Sequence, residues 1–378
     1  MSSIKKICVF PNDPLLSYFS KGEIKFGYFN PKNFFDEVHV ISLFDNDIEE
    51  WKVKDLAGNA ILKIHILGKV NLSNYKSFEE KINTVIKNIK PNILRAYNPL
   101  IQGWLATKIG KKNKIPIVVS IHTNYDQQRN YSKKLGIIQY LKFNFITKKI
   151  EKFSIRNCDT VICVYQFIKL YAKKMGAKYC EIIYNKVDLK KFTSTTEKKL
   201  KFSNPIIISV GRLINQKPHR ILIESIKNLD VTLVIIGDGP NFESLNFLAK
   251  SLKIENKVKF IKSIPNNELP GYYSSSIIYA QPLENLDGIP IPVIEAMACK
   301  LPIVISKHSP DYSEIIDDCA ILVENTSDGF KKAFEKILNN KEILYDMQQK
   351  SFQVAQKING EIMEQKELEI YKRLIKTN

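Results

Sequence analysis

Asp287 and Glu295 stand eight positions apart in QPLENLDGIPIPVIEAMACKLP, residues 281–302, across a proline-braced loop that opens into a helix. Pro292 suits the first helical turn, where its missing N–H costs nothing, and Ile294 to Ala298 continue in good helix formers. The amides around Gly288 and Ile289 are therefore expected to face outward. Free amides and the positive end of a helix dipole attract phosphate oxygens, while carboxylates accept hydrogen bonds from sugar hydroxyls. A ligand both phosphorylated and hydroxylated, as a nucleotide sugar is, would meet both. Taken alone, the same two acids serve equally well as a helix cap and a dipole balance.

A basic motif upstream weighs against that plainer use. In PIIISVGRLINQKPHR, residues 205–220, a strand-like run ends at Gly211 and Arg212, and Lys217 follows five residues later near the next helix start. Open parallel sheets bind ligands at the carboxyl ends of their strands. Two cations there can neutralise the charge that develops on a departing diphosphate.

Together these segments resemble the retaining nucleotide-sugar glycosyltransferases of family 4. The resemblance runs through SVGRLINQK, LVIIGDGP and the stretch from KVKFIKSIPNNELPGYY to AILVE, and more loosely through IRNCDTVICV and IIYNKVDLKKF. It implies the GT-B fold, an α/β architecture of two doubly wound Rossmann-like domains facing a cleft. It also implies that Arg212 and Lys217 hold the donor diphosphate, Glu295 the ribose hydroxyls and Asp287 the transferred sugar. Backbone near Gly211, Gly288 and Ile289 would help with phosphate and sugar. The donor implied is a UDP- or GDP-linked sugar, with no other cofactor and no metal. The acceptor implied is a hydroxyl of a glycan or lipid-linked molecule, as in the synthesis of envelope polysaccharide, glycolipid or glycoconjugate.

The chain departs from the family at several positions. Asp287 stands where Glu is commoner, Lys300 where a glycine usually ends the helix, and Lys262 where a glycine is usual near the base. The amino-terminal VFPNDPLLSYFSKGEIKFGYF lacks the family's paired glycines, with Gly22 or Gly27 left to stand in for them. His122, directly after the run PIVVSI, matches a histidine the family often carries on the acceptor side. As a neutral imidazole it could contact sugar or acceptor, or it could be a strand-end histidine satisfied by backbone.

Short continuous Val/Ile runs alternate with helical patterns along the whole chain. They are IKKICVF, EVHVISL, ILKIHIL, NILRAY, PIVVSIH, TVICVY and EIIYN, then PIIISV, TLVIIG, KVKFI, IIYAQP, PIVIS and AILV. Such runs are strands covered on both faces, which requires crossover helices and gives two parallel sheets. The expected division is an acceptor-side domain over 1–188, a linker over 189–204 and a donor-binding domain over 205–360. A final helix over 361–378 would pack back on the first domain.

The 378 residues, 44% hydrophobic, exceed what one core usually organises. The six cysteines form no close CxxC pair, and no secretory leader is read before the first strand, so a reducing cytoplasm is expected. Of the net charge of +18, residues 1–188 carry +15, from 31 Lys and Arg against 16 Asp and Glu. That field suits an anionic acceptor or the inner face of an anionic membrane, although a lysine-rich bias of composition would look the same. The basic and aromatic segment 129–157 is expected to pack on its own sheet with its lysines outward; a place in the headgroup region is the alternative.

No zinc, P-loop or nucleophile-elbow pattern is present. Asp45-Asn46-Asp47 reads as a turn. Nucleic-acid binding, suggested by charge alone, finds no reader motif. The competing readings are a GT-B-like nucleotide-sugar epimerase and a non-catalytic sugar-nucleotide-binding protein.

Overall fold

The computed structural model of the chain describes residues 4–20, 22, 24–126, 129, 137–193, 197–284, 288–307 and 313–376. The chain divides into two compact units, Met1–Tyr184 with Met363–Asn378, and Asn185–Ile362.

The first unit is built on strands β1 Lys6–Phe10, β2 Glu37–Ser42, β3 Ile61–Ile66, β4 Ile93–Ala96, β5 Ile117–Ile121, β6 Thr160–Cys163 and β7 Cys180–Ile182. Its helices are α1 Leu15–Ser20, α2 Glu50–Val53, α3 Phe78–Ile89, α4 Ile101–Asn113, α5 Ile137–Asn157 and α6 Gln166–Met175. The second unit carries α7 Leu189–Thr193, β8 Ile206–Val210, α8 Arg220–Ser225, β9 Thr232–Ile236, α9 Phe242–Ser251, β10 Val258–Ile261 and α10 Leu269–Ser274. It continues with β11 Ile278–Gln281, α11 Ile291–Ala298, β12 Ile303–Ser306, β13 Ala320–Val323, α12 Ser327–Leu338 and α13 Lys341–Lys357. A last helix, α14 Gly360–Lys376, enters the first unit from Met363 onward.

Each of the thirteen apolar runs is a strand. The seven-stranded sheet has the order β3-β2-β1-β4-β5-β6-β7 and the six-stranded sheet β10-β9-β8-β11-β12-β13. Among the described residues every pairing of these strands is parallel, from Ile7↔Val38 in the first sheet to Ile207↔Leu233 in the second. Two doubly wound α/β units of the expected class result.

The order reverses at β1/β4 and at β8/β11. At such a point the connections leave on opposite faces, and the loops at the strands' carboxyl ends part to leave a crevice. One lies ahead of Pro11 and Tyr97, the other ahead of Gly211 and Pro282.

Both faces of the first sheet are apolar. Cys8, Phe10, Leu94 and Val119 lie with Ile82, Ile86 and Leu105 of α3 and α4. On the other face Ile7, Val9, Ile93 and Val118 lie with Met363, Ile370 and Tyr371 of α14. In the second unit Ile207, Leu233, Ile235 and Ile278 share one core with Phe330 and Phe334 of α12. The segment 189–204 holds α7, whose Phe192 is 4% exposed and accepts the Cys299 thiol at its carbonyl, 3.3 Å away. The Asp45–Asp47 pair does hold a turn: Asp47 accepts from Ser42 Oγ at 2.6 Å and from the Leu16 amide at 3.0 Å, and Asp45 from the Lys69 amide at 3.0 Å.

α5 buries Thr147, Ile150, Glu151, Ser154 and Ile155, a stripe at helical spacing. Its opposite side exposes Leu141, Phe145, Lys148, Lys149 and Lys152. Among the described residues no helix is long and apolar enough to cross a membrane, and no cluster of three His, Cys, Asp or Glu side chains could hold a metal ion.

Gly237 after β9 has φ +152, and a Cβ there would stand 2.0 Å from the Gly211 carbonyl oxygen. Gly237→Ala should therefore lower the unfolding free energy by at least ~2 kcal/mol in urea titrations. An unchanged midpoint would mean that the two loops do not meet.

Candidate active site

β8 delivers Gly211 to the reversal of the second sheet, with φ +155 and its amide bonded to the Ile236 carbonyl at 2.9 Å. The chain then folds back on itself: the Leu213 amide reaches Asp238 O at 2.9 Å and the Lys217 amide reaches Ile214 O at 2.9 Å. A Cβ on Gly211 would lie 2.6 Å from Lys217 Nζ, so the ammonium packs directly on a bare Cα. Burial, reinforced by the Arg212 charge, lowers the Lys217 pKa from its ordinary value. Arg212 itself is exposed. Among the described residues no carboxylate pairs with either cation within 4.0 Å. Among the described residues their positive charge is thus unmet.

The other side of the crevice is the segment from β11 to α11. The Glu284 amide bonds the Gln216 carbonyl at 3.1 Å, which ties the loop after β11 to the loop that carries Lys217. Gly288 has φ +152 and Ile289 is fully buried. α11 starts at Ile291 with Pro290 at its cap and no side-chain capping bond. Among the described residues, the amides of Gly288, Ile289 and Ile291 donate to no acceptor in the chain. Their N–H groups add to the helix's positive end.

Glu295 lies in the second turn of α11 rather than the first, and is 6% exposed. Its Oε2 accepts from Tyr273 OH at 3.0 Å and its Oε1 from Asn266 Nδ2 at 3.4 Å. Tyr273 and Asn266 were not singled out from the sequence. They reach Glu295 only because α10 and the loop before it fold against α11, a contact that leaves no periodic trace in NNELPGYY. Lys300 ends α11 in the left-handed region at φ 59, with its amide on Met297 O at 3.0 Å and its ammonium over the Phe352 ring at 4.9 Å. A lysine thus fills the turn where glycine is cheaper by about 1 kcal/mol. Lys262 sits over the Phe242 ring at 5.1 Å.

Of the residues read as a site, Gly211, Arg212, Lys217, Gly288, Ile289 and Glu295 all lie in the second unit, the first three at and after the end of β8 and the others between β11 and the second turn of α11. Asp287 lies outside the described residues. His122 and Gly22 belong to the first unit. His122 follows the last residue of β5, at the carboxyl edge, with its side chain open to water. Close-set protein around the ring, and then the Arg95 charge, hold its pKa down at about 4, so the imidazole is neutral at pH 7. Gly22 and Gly27 both have left-handed φ, +65 and +69.

With this geometry, residues 192–354 match the family model for glycosyl transferases group 1, and residues 36–191 the model for glycosyltransferase family 4. Two glycosyltransferase domains, the family 4 model first and the group 1 model after it, thus account for residues 36–354. An uncharacterized glycosyltransferase of Haemophilus influenzae is 30% identical over 236 residues, 59% of this chain and 65% of that one. A diphospho-undecaprenol 4-alpha-N-acetylgalactosaminyltransferase of Campylobacter jejuni is 32% identical over 154 residues, 40% of this chain and 41% of its own length. The chain thus spans under two thirds of the length of these curated relatives. Among solved structures, a glycosyltransferase from Rickettsia africae superposes with TM-score 0.73 at 18% identity, covering 100% of both chains. Anabaena Alr3699/HepE in complex with UDP does so with TM-score 0.73 at 14% identity, covering 97% of this chain and 100% of that one. These likenesses show the GT-B fold.

One further residue beside the cations was not backed from the sequence. His219 is 1% exposed, and neither ring nitrogen has a partner; the nearby Lys217 carbonyl takes the His219 backbone amide at 2.8 Å instead. Burial holds the imidazole pKa down at about 4. An unfolded histidine takes up its proton near pH 6.5, so His219 leaves stability intact above that pH and drains it as pH falls toward 4. Replacing it by leucine removes that drain. Between pH 7.5 and 4.5 the natural chain should lose ~2.5 kcal/mol more unfolding free energy than His219→Leu, measured by urea titration at each pH. Equal losses would show that His219 is not held neutral.

Proposed function

We propose that the protein transfers a sugar from a nucleoside diphosphate sugar to an acceptor hydroxyl with retention of configuration and without a metal ion. The observation that carries the reading is the Lys217 ammonium, packed on the Cα of Gly211 beside Arg212, with no carboxylate partner among the described residues, at the reversal point of the second sheet. A diphosphate is the ligand that such a pair and the free amides of Gly288, Ile289 and Ile291 are built to meet. Glu295, oriented by Tyr273 and Asn266, takes the ribose hydroxyls. Asp287 takes the transferred sugar, and His122 and the Gly22 turn belong to the acceptor side.

In the reaction the acceptor oxygen bonds to the anomeric carbon on the face from which the diphosphate leaves. The bond from that carbon to the phosphate oxygen breaks, and the acceptor proton passes to the departing phosphate. Arg212 and Lys217 stabilise the charge that grows on it, so the reading asks for no protein nucleophile and no metal. The UDP and UDP-glucose complexes of the Anabaena protein support a uridine donor, with a GDP-linked sugar the other choice. The names of the Campylobacter transferase and of a phosphatidylinositol monomannoside mannosyltransferase support a lipid-linked or glycan acceptor.

The exposed stripe of α5 supports a place on the inner face of an anionic membrane. Leu141 is 58% and Phe145 72% exposed, and Lys148, Lys149 and Lys152 continue the same side. Apolar residues beside lysines suit the boundary between headgroups and acyl chains, and each lysine near an anionic surface contributes about 1 kcal/mol.

A thermal-shift panel of UDP- and GDP-sugars identifies the donor, because a ligand of the folded state raises Tm. With that donor, Lys217→Ala and Glu295→Ala should each slow transfer roughly a hundredfold. Near-normal rates in both folded variants would overturn the site. Donor binding without turnover would mark a non-catalytic protein, and epimerisation without acceptor an epimerase. In a separate assay, phosphatidylglycerol vesicles should sediment the protein, and Lys148→Gln/Lys149→Gln/Lys152→Gln should weaken that partition at least about tenfold. Equal sedimentation of the variant would remove the membrane from the reading.

A further inference from the structure

One polar cluster interrupts the apolar face on which α14 lies. Arg95, the third residue of β4, is 3% exposed among Ile7, Val9, Ile93 and Val118. Its Nε lies 3.3 Å from Glu367 Oε1 of α14, one terminal nitrogen donates to the Ala96 carbonyl at 3.0 Å and the other to Ser120 Oγ at 2.6 Å. Tyr371, one turn beyond Glu367, donates its hydroxyl to the same carboxylate oxygen at 2.7 Å. The guanidinium also stacks 4.4 Å from the centre of the Tyr97 ring, which in turn stacks on Tyr28 at 5.5 Å. Three stretches of the first unit, β4, β5 and α14, thus meet at one side chain, with Tyr28 behind Tyr97.

Stability alone gives no reason for such a pair, because apolar residues of equal volume hold a core as well as a buried ion pair does. Its position gives one. Ser120 is two residues before His122, so strand alternation puts both on the face that carries Arg95.

We propose that Arg95 is a positioning residue: held by Glu367 and Tyr371 of the last helix, its guanidinium bonds Ser120, fixes the carboxyl end of β5 and puts its positive charge on the sheet face that carries His122. The proposal rests on His122 as the acceptor-side group. Two charged groups act on the imidazole, Arg95 from β4 driving protons off and Glu367 from α14 working weakly the other way. The phenols of Tyr97 and Tyr371 are buried and their pKa values pushed well up, so they stay neutral. A neutral His122 can accept the hydrogen bond of an acceptor hydroxyl, which an imidazolium cannot. The last helix, distant in sequence, thereby sets the chemistry of the β5 edge.

The test is an NMR titration of the intact chain, with the His122 resonance picked out of five histidines by its loss in His122→Gln. Arg95→Met should raise the His122 pKa by about one unit, while Arg95→Lys, which keeps the charge, should leave it low. If Arg95→Met does not fold, Arg95→Gln/Glu367→Gln carries the test: the pKa still rises, by less, because the Arg95 influence is the larger of the two. A His122 resonance that titrates alike in the charged and neutral variants overturns the proposal, whatever the activity. The acidic limb of the transfer rate should move upward with the resonance. If the resonance moves and the limb does not, the proposal about Arg95 stands and the role of His122 in the reaction falls.

Discussion

The second unit depends on a backbone contact that no side chain could survive. Gly237 lies against the Gly211 carbonyl, and Gly239 against that of Leu213, so the loops after β8 and β9 interlock with nothing between them. That contact turns the chain sharply enough for Lys217 to come back over Gly211. The ammonium is half-buried there with a second cation beside it, which is costly unless an anion arrives. The fold that locks the two loops together is thus also what sets the two cations side by side.

The acidic half of the site obeys a different rule. A carboxylate as buried as Glu295 needs donors, and Tyr273 and Asn266 provide them from elements that precede α11 by some twenty to thirty positions. Among the described residues the two cations are left unpaired and the acid is held. That asymmetry suits a ligand whose phosphates are to be attracted and whose hydroxyls are to be oriented, since attraction needs unspent charge while orientation needs a fixed acceptor.

The first unit meets its problem from the far end of the chain. Its sheet has apolar side chains on both faces, and α14 covers one of them with residues more than 260 positions away from β4. The cover brings a carboxylate, and the carboxylate brings Arg95 into the core beside the strand that ends in His122. Electrostatics at that edge therefore depend on a helix whose own amino-acid pattern says only that it is amphipathic.

Most of the thirteen strands were legible because they are short Val/Ile runs with no polar face, the way a strand covered on both sides is written; β3, at the edge of its sheet with Ile61, Lys63 and Ile66 exposed, is the looser case. The loop chemistry was legible where one segment contains all of it, as in Gly211-Arg212 with Lys217, or Pro290 to Glu295. The sequence alone thus determined the two parallel sheets, the glycines and cations at one strand's end and the helix start facing them. Tertiary structure decided that Glu295 stands a turn deeper and hangs on Tyr273 and Asn266, that the His219 ring is buried without a hydrogen-bond partner among the described residues, and that Arg95 joins the last helix to Ser120 of β5. The physical reason is range. Strand and turn preferences act between neighbours in sequence, whereas burial and the partners of a buried charge are fixed only when distant elements close over them.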